Sequence, residues 1–228
     1  SVPGSIIRYA RSIKAKLKLL GADFFIEQHD CSWDWWNSSN SIMELSTQFI
    51  LGDYQLQNAA GVLEVISLLE SSFDRHLIKK GFDNIRLEGR FQRVLHGGNE
   101  HLFDVAHNPQ AAKALADNLS IHESEGRTFG IVALMKTKDI TNFLRPLISK
   151  IDFWYFPELE DGQGYTGELL KNELEKLSQA ASVTCCGSVE QAYKMVKARL
   201  SAGDIVLVTG SFLTVGCVMR YLDVPVAK

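Results

Sequence analysis

The sequence predicts an α/β protein whose later part is a mostly parallel sheet with helices on both faces. Three observations predict it. From Gly89 onward, short apolar runs alternate with segments of helical period. Residues 102 to 119 pass from an apolar strand straight into an Ala-rich helix. Residues 204 to 215 repeat that strand-to-helix turn around Gly210 and Ser211.

In chain order, Gly4 to Leu20 places Ile6, Ile7, Ala10, Ile13, Leu17 and Leu20 on one stripe opposite Arg8, Arg11, Lys14 and Lys18. That spacing predicts an amphipathic helix ended by Gly21. Strands are expected over Asp23 to Glu27 and near Ile42 to Phe49, with a polar segment between them that holds Trp33, Trp35 and Trp36. The tryptophans either stack on a ligand or pack as an aromatic cluster against a neighbouring helix, and burial favours packing. Leu56 to Leu69 and Phe73 to Lys80 read as helices. Beyond them, strands are expected at Phe91 to Leu95, Leu102 to Ala106, Thr128 to Leu134, Phe153 to Phe156, Val183 to Cys186 and Ile205 to Thr209. The intervening helices lie near residues 110–119, 139–149, 166–178, 189–200 and 212–222. This change of pattern divides the chain into domains at 1–85 and 86–228.

Composition bounds the function classes. Hydrophobic residues at 46%, charged residues at 22% and only 5 Pro describe a chain able to bury a sizeable core. A net charge of -3, with no basic stripe interleaved with aromatics, argues against a nucleic-acid partner. No run of about 18 apolar residues is present to cross a membrane. The basic N-terminal stretch also lacks a signal peptide's apolar core, so a cytoplasmic location and no membrane partner are expected. Cys31, Cys185, Cys186 and Cys217 show no Cys-x-x-Cys spacing, and the vicinal pair reads as reduced core residues.

Candidate functional residues concentrate where strands hand over to helices. Asp104 lies near a strand end, His107 fills the turn, Asn108 is placed to cap the helix and Pro109 suits its first position, where no N–H is needed. Open α/β sheets hold ligands at such junctions, although Asn-Pro also begins ordinary helices. Gly162 to Gly167 satisfies Gly-x-Gly-x-x-Gly and makes an NAD(P)-binding oxidoreductase domain one alternative. Against it, Glu158, Glu160 and Asp161 stand where a pyrophosphate must approach, and no acid follows at the ribose position. His29, His76, His96, His101 and His122 show no ligand pairing, so no metal site is expected.

The blocks Gly89-Arg90-Phe91-Gln92, Phe103-Asp104-Val105-Ala106-His107-Asn108-Pro109 and Gly210-Ser211-Phe212-Leu213-Thr214-Val215 follow one another in an informative order. Together they resemble the C-terminal part of folylpolyglutamate synthase and dihydrofolate synthase, members of the Mur ligase superfamily. The likeness starts at Val2-Pro3-Gly4-Ser5-Ile6 and covers only the later half of such an enzyme. It implies a Rossmann-like C-terminal domain over residues 86–228, preceded by the remnant of a P-loop ATPase-type central domain over residues 1–85.

The activity this resemblance implies is ATP-dependent addition of L-glutamate to dihydropteroate or folates through an acyl phosphate. By the same resemblance, Asn58 contacts adenine or neighbouring ATP groups, Arg90 the ATP phosphates and Asp104 the ribose. His107 and Ser211 match positions that meet the incoming glutamate. No Gly-x-x-x-x-Gly-Lys-Ser/Thr occurs among the 228 residues. The P-loop, the Mg²⁺ ligands and the catalytic residues are therefore expected in a missing N-terminal half, and the chain alone is expected to be inactive. The parent is expected to be a monomer, with self-association of the fragment through apolar surface on residues 1–85 as a hypothesis. A non-catalytic interaction module with a ligase-like fold is the other alternative, because fold does not fix function.

Overall fold

The computed structural model describes residues 2–47, 53–69, 73–85, 87–122, 126–160 and 162–224. It divides into two compact units, Ser1–Ile85 and Arg86–Lys228. In the first unit, helix α1 spans Gly4–Ser12 and is shorter than its apolar stripe suggests. Lys14 takes a left-handed backbone, φ 55°, and the Ala15 N–H reaches back to the Ala10 carbonyl at 2.9 Å. A left-handed residue closing the last turn in this way ends a helix, so Leu17 and Leu20 follow in non-helical chain.

Strands β1 (Phe24–Gln28), β2 (Ser32–Asn37) and β3 (Ser41–Ser46) form an antiparallel meander. The tryptophans thus lie within a strand rather than in a polar loop. Alternation puts Trp33 and Trp35 on one face, where both are fully buried. Trp33 meets Phe82 edge-on at 5.6 Å and Trp35 stacks on Phe73 at 5.5 Å, which removes both from ligand stacking. Helices α2 (Asp53–Leu69) and α3 (Arg75–Asn84) complete this core through Leu56, Ala60, Leu63 and Phe82. The expected end of the third strand, at Phe49, lies outside the described residues.

The second unit is a six-stranded sheet of β4 (Gln92–His96), β5 (Asn99–Phe103), β6 (Thr128–Val132), β7 (Phe153–Pro157), β8 (Ser182–Cys186) and β9 (Ile205–Thr209). Their spatial order is β4-β5-β9-β6-β7-β8, with β4 antiparallel to β5 and every other pairing parallel. Alternating side chains feed two cores. Leu102, Leu207, Trp154 and Phe156 pack with α4 (Pro109–Ile121), α5 (Ile140–Leu144) and α6 (Gly167–Leu177). Phe103, Val208, Ile131 and Tyr155 pack with α7 (Val189–Lys197) and α8 (Phe212–Tyr221) on the other face. The single helix expected over 139–149 is split: α5 stops at Leu144 and Arg145–Lys150 forms a 3₁₀ turn. Pro146 explains the break, because it has no N–H for the α ladder and its ring crowds the preceding turn.

Two buried polar groups anchor the sheet. Asp204 accepts the Arg127 Nη2 hydrogen at 2.6 Å, together with the backbone N–H groups of Arg127 and Ser201. The guanidinium bond, foremost, holds its pKa down at about 2. In β5, His101 Nδ1–H donates to the Asn99 carbonyl, and Nε2 accepts the Tyr193 hydroxyl hydrogen at 3.0 Å. Both ring nitrogens are thus satisfied in the neutral form, and burial pushes the pKa from 6.5 down to about 4.

An unfolded chain therefore takes up the His101 proton before the folded one does, and stability falls as pH drops from 6.5 towards about 4. Asp204 adds its own loss only lower, from 3.8 towards about 2. The His101 share is at most roughly 3 kcal/mol. In His101→Phe, the acid-induced loss of amide protection in β5 and β9, with exchange corrected for the intrinsic rate at each pH, is expected to shrink across the upper window while the lower one persists. Identical pH profiles in the two proteins would refute this assignment.

Candidate functional site

Strand β9 comes last in the chain yet lies between β5 and β6. Helix α4, which follows β5, covers one face, and α8, which follows β9, covers the other. The chain leaves the carboxyl ends of β5 and β9 in opposite directions, and a crevice opens at such a switch of topology. Asp104 and His107 follow β5, Ser211 follows β9, and Arg90 stands in the turn before β4.

Hydrogen bonds tie these turns together. Asp104 accepts the Phe91 N–H on Oδ2 and the Ala106 N–H on Oδ1, both at 2.8 Å. The Val105 N–H donates to the Gly89 carbonyl at 2.8 Å, and the Gly210 N–H to the Ala106 carbonyl at 3.0 Å. Gly89, at φ 62°, approaches Val105 so closely that an added Cβ would lie 2.8 Å from Cγ1. Gly210, at φ 100°, leaves even less room: a Cβ would meet the Ala133 carbonyl oxygen at 2.5 Å. Phe91 itself sits at φ 48°, a region that bulky residues avoid. Its bond to Asp104 helps to hold that conformation.

The electrostatics follow from this packing. Burial pushes the Asp104 carboxyl pKa up, although the two amide bonds, Arg90 and His107 all favour the charged form. His107 Nδ1–H donates to the Val105 carbonyl at 2.8 Å, which fixes the tautomer and leaves Nε2 as an acceptor. The Arg90 guanidinium carbon lies 5.9 Å from the Phe212 ring centre, and the His107 ring lies 6.2 Å from the same ring. Phe212 is 62% exposed, so this aromatic face is open between them. Sequence reasoning did not single it out, although its signal was an apolar residue opening a helix straight after Gly-Ser.

Ser211 is almost fully buried. Its hydroxyl oxygen accepts the Thr214 N–H at 3.0 Å and lies 2.6 Å from Thr214 Oγ1, so it faces into α8. What Ser211 gives the crevice is the shape of its turn. Asn58 belongs to the first unit, on the exposed side of α2, with Nδ2 3.4 Å from Gln55 Oε1. The structure thus brings Arg90, Asp104, His107 and Ser211 to one edge of the second unit, and Asn58 is not part of that unit.

The glycine motif at 162–167 serves packing. Glu158 Oε1 accepts the Gly167 N–H at 3.0 Å, and an added Cβ at Gly167 would lie 2.6 Å from the Phe156 carbonyl. A carboxylate of the chain itself occupies the helix N-terminus that a pyrophosphate requires. Glu27, His29 and Asp34, which the sequence did not group, have ligand atoms within 4.8 Å of one another. An ion pair accounts for the grouping: His29 Nε2–H donates to Asp34 Oδ2 at 3.0 Å, while Asp34 Oδ1 accepts the Glu44 N–H. The amide bond from Glu44, foremost, holds the Asp34 carboxyl low, and the bond to Asp34 raises His29.

Asp104→Asn is expected to loosen the junction, because an amide turns an NH₂ towards one of the two backbone donors. The cost of an unsatisfied buried donor is about 1–3 kcal/mol. Amide exchange at Phe91 and Ala106 should accelerate accordingly, and unchanged exchange at both would show that the carboxylate does not hold the turn.

Comparison with known proteins places this geometry. The model for "Mur ligase, glutamate ligase domain" matches residues 89–212. The dihydrofolate synthase/folylpolyglutamate synthase of Escherichia coli (strain K12) is 31% identical over 222 residues, covering 97% of this chain and 50% of the relative. The solved structure of E. coli FolC in complex with DHPP and ADP matches at 30% identity and TM-score 0.85, over 97% of this chain and 51% of that one. A solved bifunctional folylpolyglutamate synthase/dihydrofolate synthase with Mn, AMPPNP and L-glutamate bound matches at 29% identity and TM-score 0.83, over 98% of this chain and 52% of that one. The chain spans about half the length of the curated relatives it matches. With the family's match running from the Gly89 turn through the Ser211 turn, the chain belongs to the Mur ligase family through its glutamate ligase domain.

Proposed function

We propose that this chain is the later half of an ATP-dependent ligase that adds L-glutamate to dihydropteroate, to folates or to both. The observation that carries the proposal is the convergence of Arg90, Asp104, His107 and the Ser211 turn on one switch point. It does so in a chain similar over nearly its whole length to dihydrofolate synthase/folylpolyglutamate synthases. The residues present suit a nucleotide and an amino acid. Arg90 is exposed and carries a planar donor fork that matches phosphate oxygens. Each Asp104 oxygen has one backbone donor, so a second lone pair on each is free to accept from ribose hydroxyls. The Asn58 amide offers donors and an acceptor to adenine or adjoining ATP groups.

The glutamate side rests on His107 and Ser211. With Nδ1–H committed to Val105, His107 presents Nε2 to the crevice, as an acceptor when neutral and a donor to a carboxylate when protonated. Ser211 is a positioning residue in this reading: its inward hydroxyl fixes the turn at the start of α8, whose first N–H groups favour an anion. Mg²⁺ would neutralise phosphate charge when bound, with ligands outside this chain. The γ-phosphoryl group of ATP passes to an acceptor carboxylate, and the glutamate amine then attacks the acyl phosphate and expels phosphate. Excluding water around that intermediate is the task of a closed cleft.

The test is Mg-ATP-dependent incorporation of glutamate by the full-length protein, assayed on 7,8-dihydropteroate and separately on a reduced folate. Incorporation onto at least one acceptor is expected. Arg90→Ala, an exposed substitution, should lower kcat/KM for ATP by about 10²–10³. The 228 residues alone are expected not to ligate. A folded full-length protein that incorporates glutamate onto neither acceptor would overturn the proposal.

A further inference from the structure

At the carboxyl end of β7, on the α7/α8 face, lies a cavity of about 160 Å³. That is roughly ten times the space one water needs. Val189, Leu213 and Cys217 supply apolar wall, while Glu160, Glu190 and Arg220 supply charge. These three charged side chains come from the loop after β7, the first turn of α7 and the last turn of α8, and all are exposed. Among the described residues, none of the three forms an ion pair. The Cys217 thiol senses them all: burial, foremost, with Glu190 and Glu160 raises its pKa, while Arg220 lowers it. Two acids and one guanidinium thus surround a single thiol without neutralising one another.

That arrangement is complementary to an amino-acid headgroup, whose ammonium wants carboxylates and whose carboxylate wants a planar donor fork. We propose that this cavity binds a small α-amino acid, its ammonium against Glu160 and Glu190, its carboxylate against Arg220 and its side chain over Cys217. Glu158 also lines the cavity but is held on the Gly167 N–H, so Glu160 and Glu190 are the two carboxylates set against one guanidinium. The surplus of negative charge selects a neutral or basic side chain over an acidic one. The site is therefore distinct from any position that serves glutamate, and it stands independently of the ligase reading.

Cys217 gives a direct readout. The 228-residue chain is alkylated with iodoacetamide, and modification of each cysteine is followed by peptide mass spectrometry with and without L-lysine, cadaverine or L-glutamate. Millimolar L-lysine is expected to slow alkylation of Cys217 severalfold and to leave the exposed Cys31 unchanged. Arg220→Ala and Glu190→Gln should each reduce that protection, taken as the ratio of rates with and without ligand in the same variant. Absence of protection by L-lysine would overturn the proposal, as would protection that survives both substitutions. Equal protection by cadaverine would show that no carboxylate is read, and equal protection by L-glutamate would refute the charge argument; either would also overturn it.

Discussion

The insertion of β9 between β5 and β6 is the constraint on which the second unit depends. All five residues of β9 are buried, so the chain must complete β5 to β8 and return over the α7 face before the sheet has a centre. Parallel neighbours cannot be joined by tight turns, and the connections therefore carry helices that shield both faces. The same insertion sends α4 and α8 to opposite sides. The crevice is thus a by-product of strand order, not a feature added to the fold. Gly210 marks how close the approach is, because the Ala133 carbonyl fills the space a side chain would need.

Two aspartates, one at each end of this sheet, show how environment divides a single residue type into different tasks. Asp204 is bound by a guanidinium and two amides, and its carboxyl stays ionised down to about 2. Among the described residues, Asp104 has two amides and no direct ion-pair partner, and its burial raises the pKa despite Arg90 and His107 nearby. Charge at Asp104 is consequently costlier than charge at Asp204. Its attachment to Phe91 has a second consequence. A left-handed Phe is strained, and the bond that offsets this strain comes from the residue the crevice is built around. The Arg90 turn and the β5 end are therefore one mechanical unit.

The sheet was legible in the sequence because buried parallel strands read as continuous apolar runs, and the expected runs at 128–134, 153–156 and 205–209 overlap β6, β7 and β9. The errors have local causes. The stripe from Ile6 to Leu20 implied a longer α1, but periodicity does not encode the left-handed Lys14 that ends it. The polar-looking segment around Trp33 is a strand because its alternate residues face a core supplied by α2 and α3, which no local window contains. Pro146 was visible and should have split the helix at 139–149. At the crevice, Asp104 and His107 stood out by their place after an apolar run. Phe212 did not, because an exposed aromatic acquires meaning only beside Arg90 and His107. Ser211 was visible too, but the inward turn of its hydroxyl was not.

The carboxyl edge of the sheet also sorts charge along its length. Helices α4 and α8 are capped by the neutral side chains of Asn108 and Ser211, so the partial positive charge of their first turns is not cancelled by a carboxylate of the cap. Helix α6 differs, since Glu158 bonds its first amide. Arg90 adds a full positive charge on the β5/β9 side, whereas Glu158, Glu160 and Glu190 gather near β7. Over one sheet edge, then, the β5/β9 end favours anions and the β7 end favours cations. Helix α8 joins the two, because its first turn frames the crevice while Cys217 and Arg220 line the acidic cavity. Its packing through Val215, Val218 and Met219 is what keeps the opposed environments at a fixed spacing.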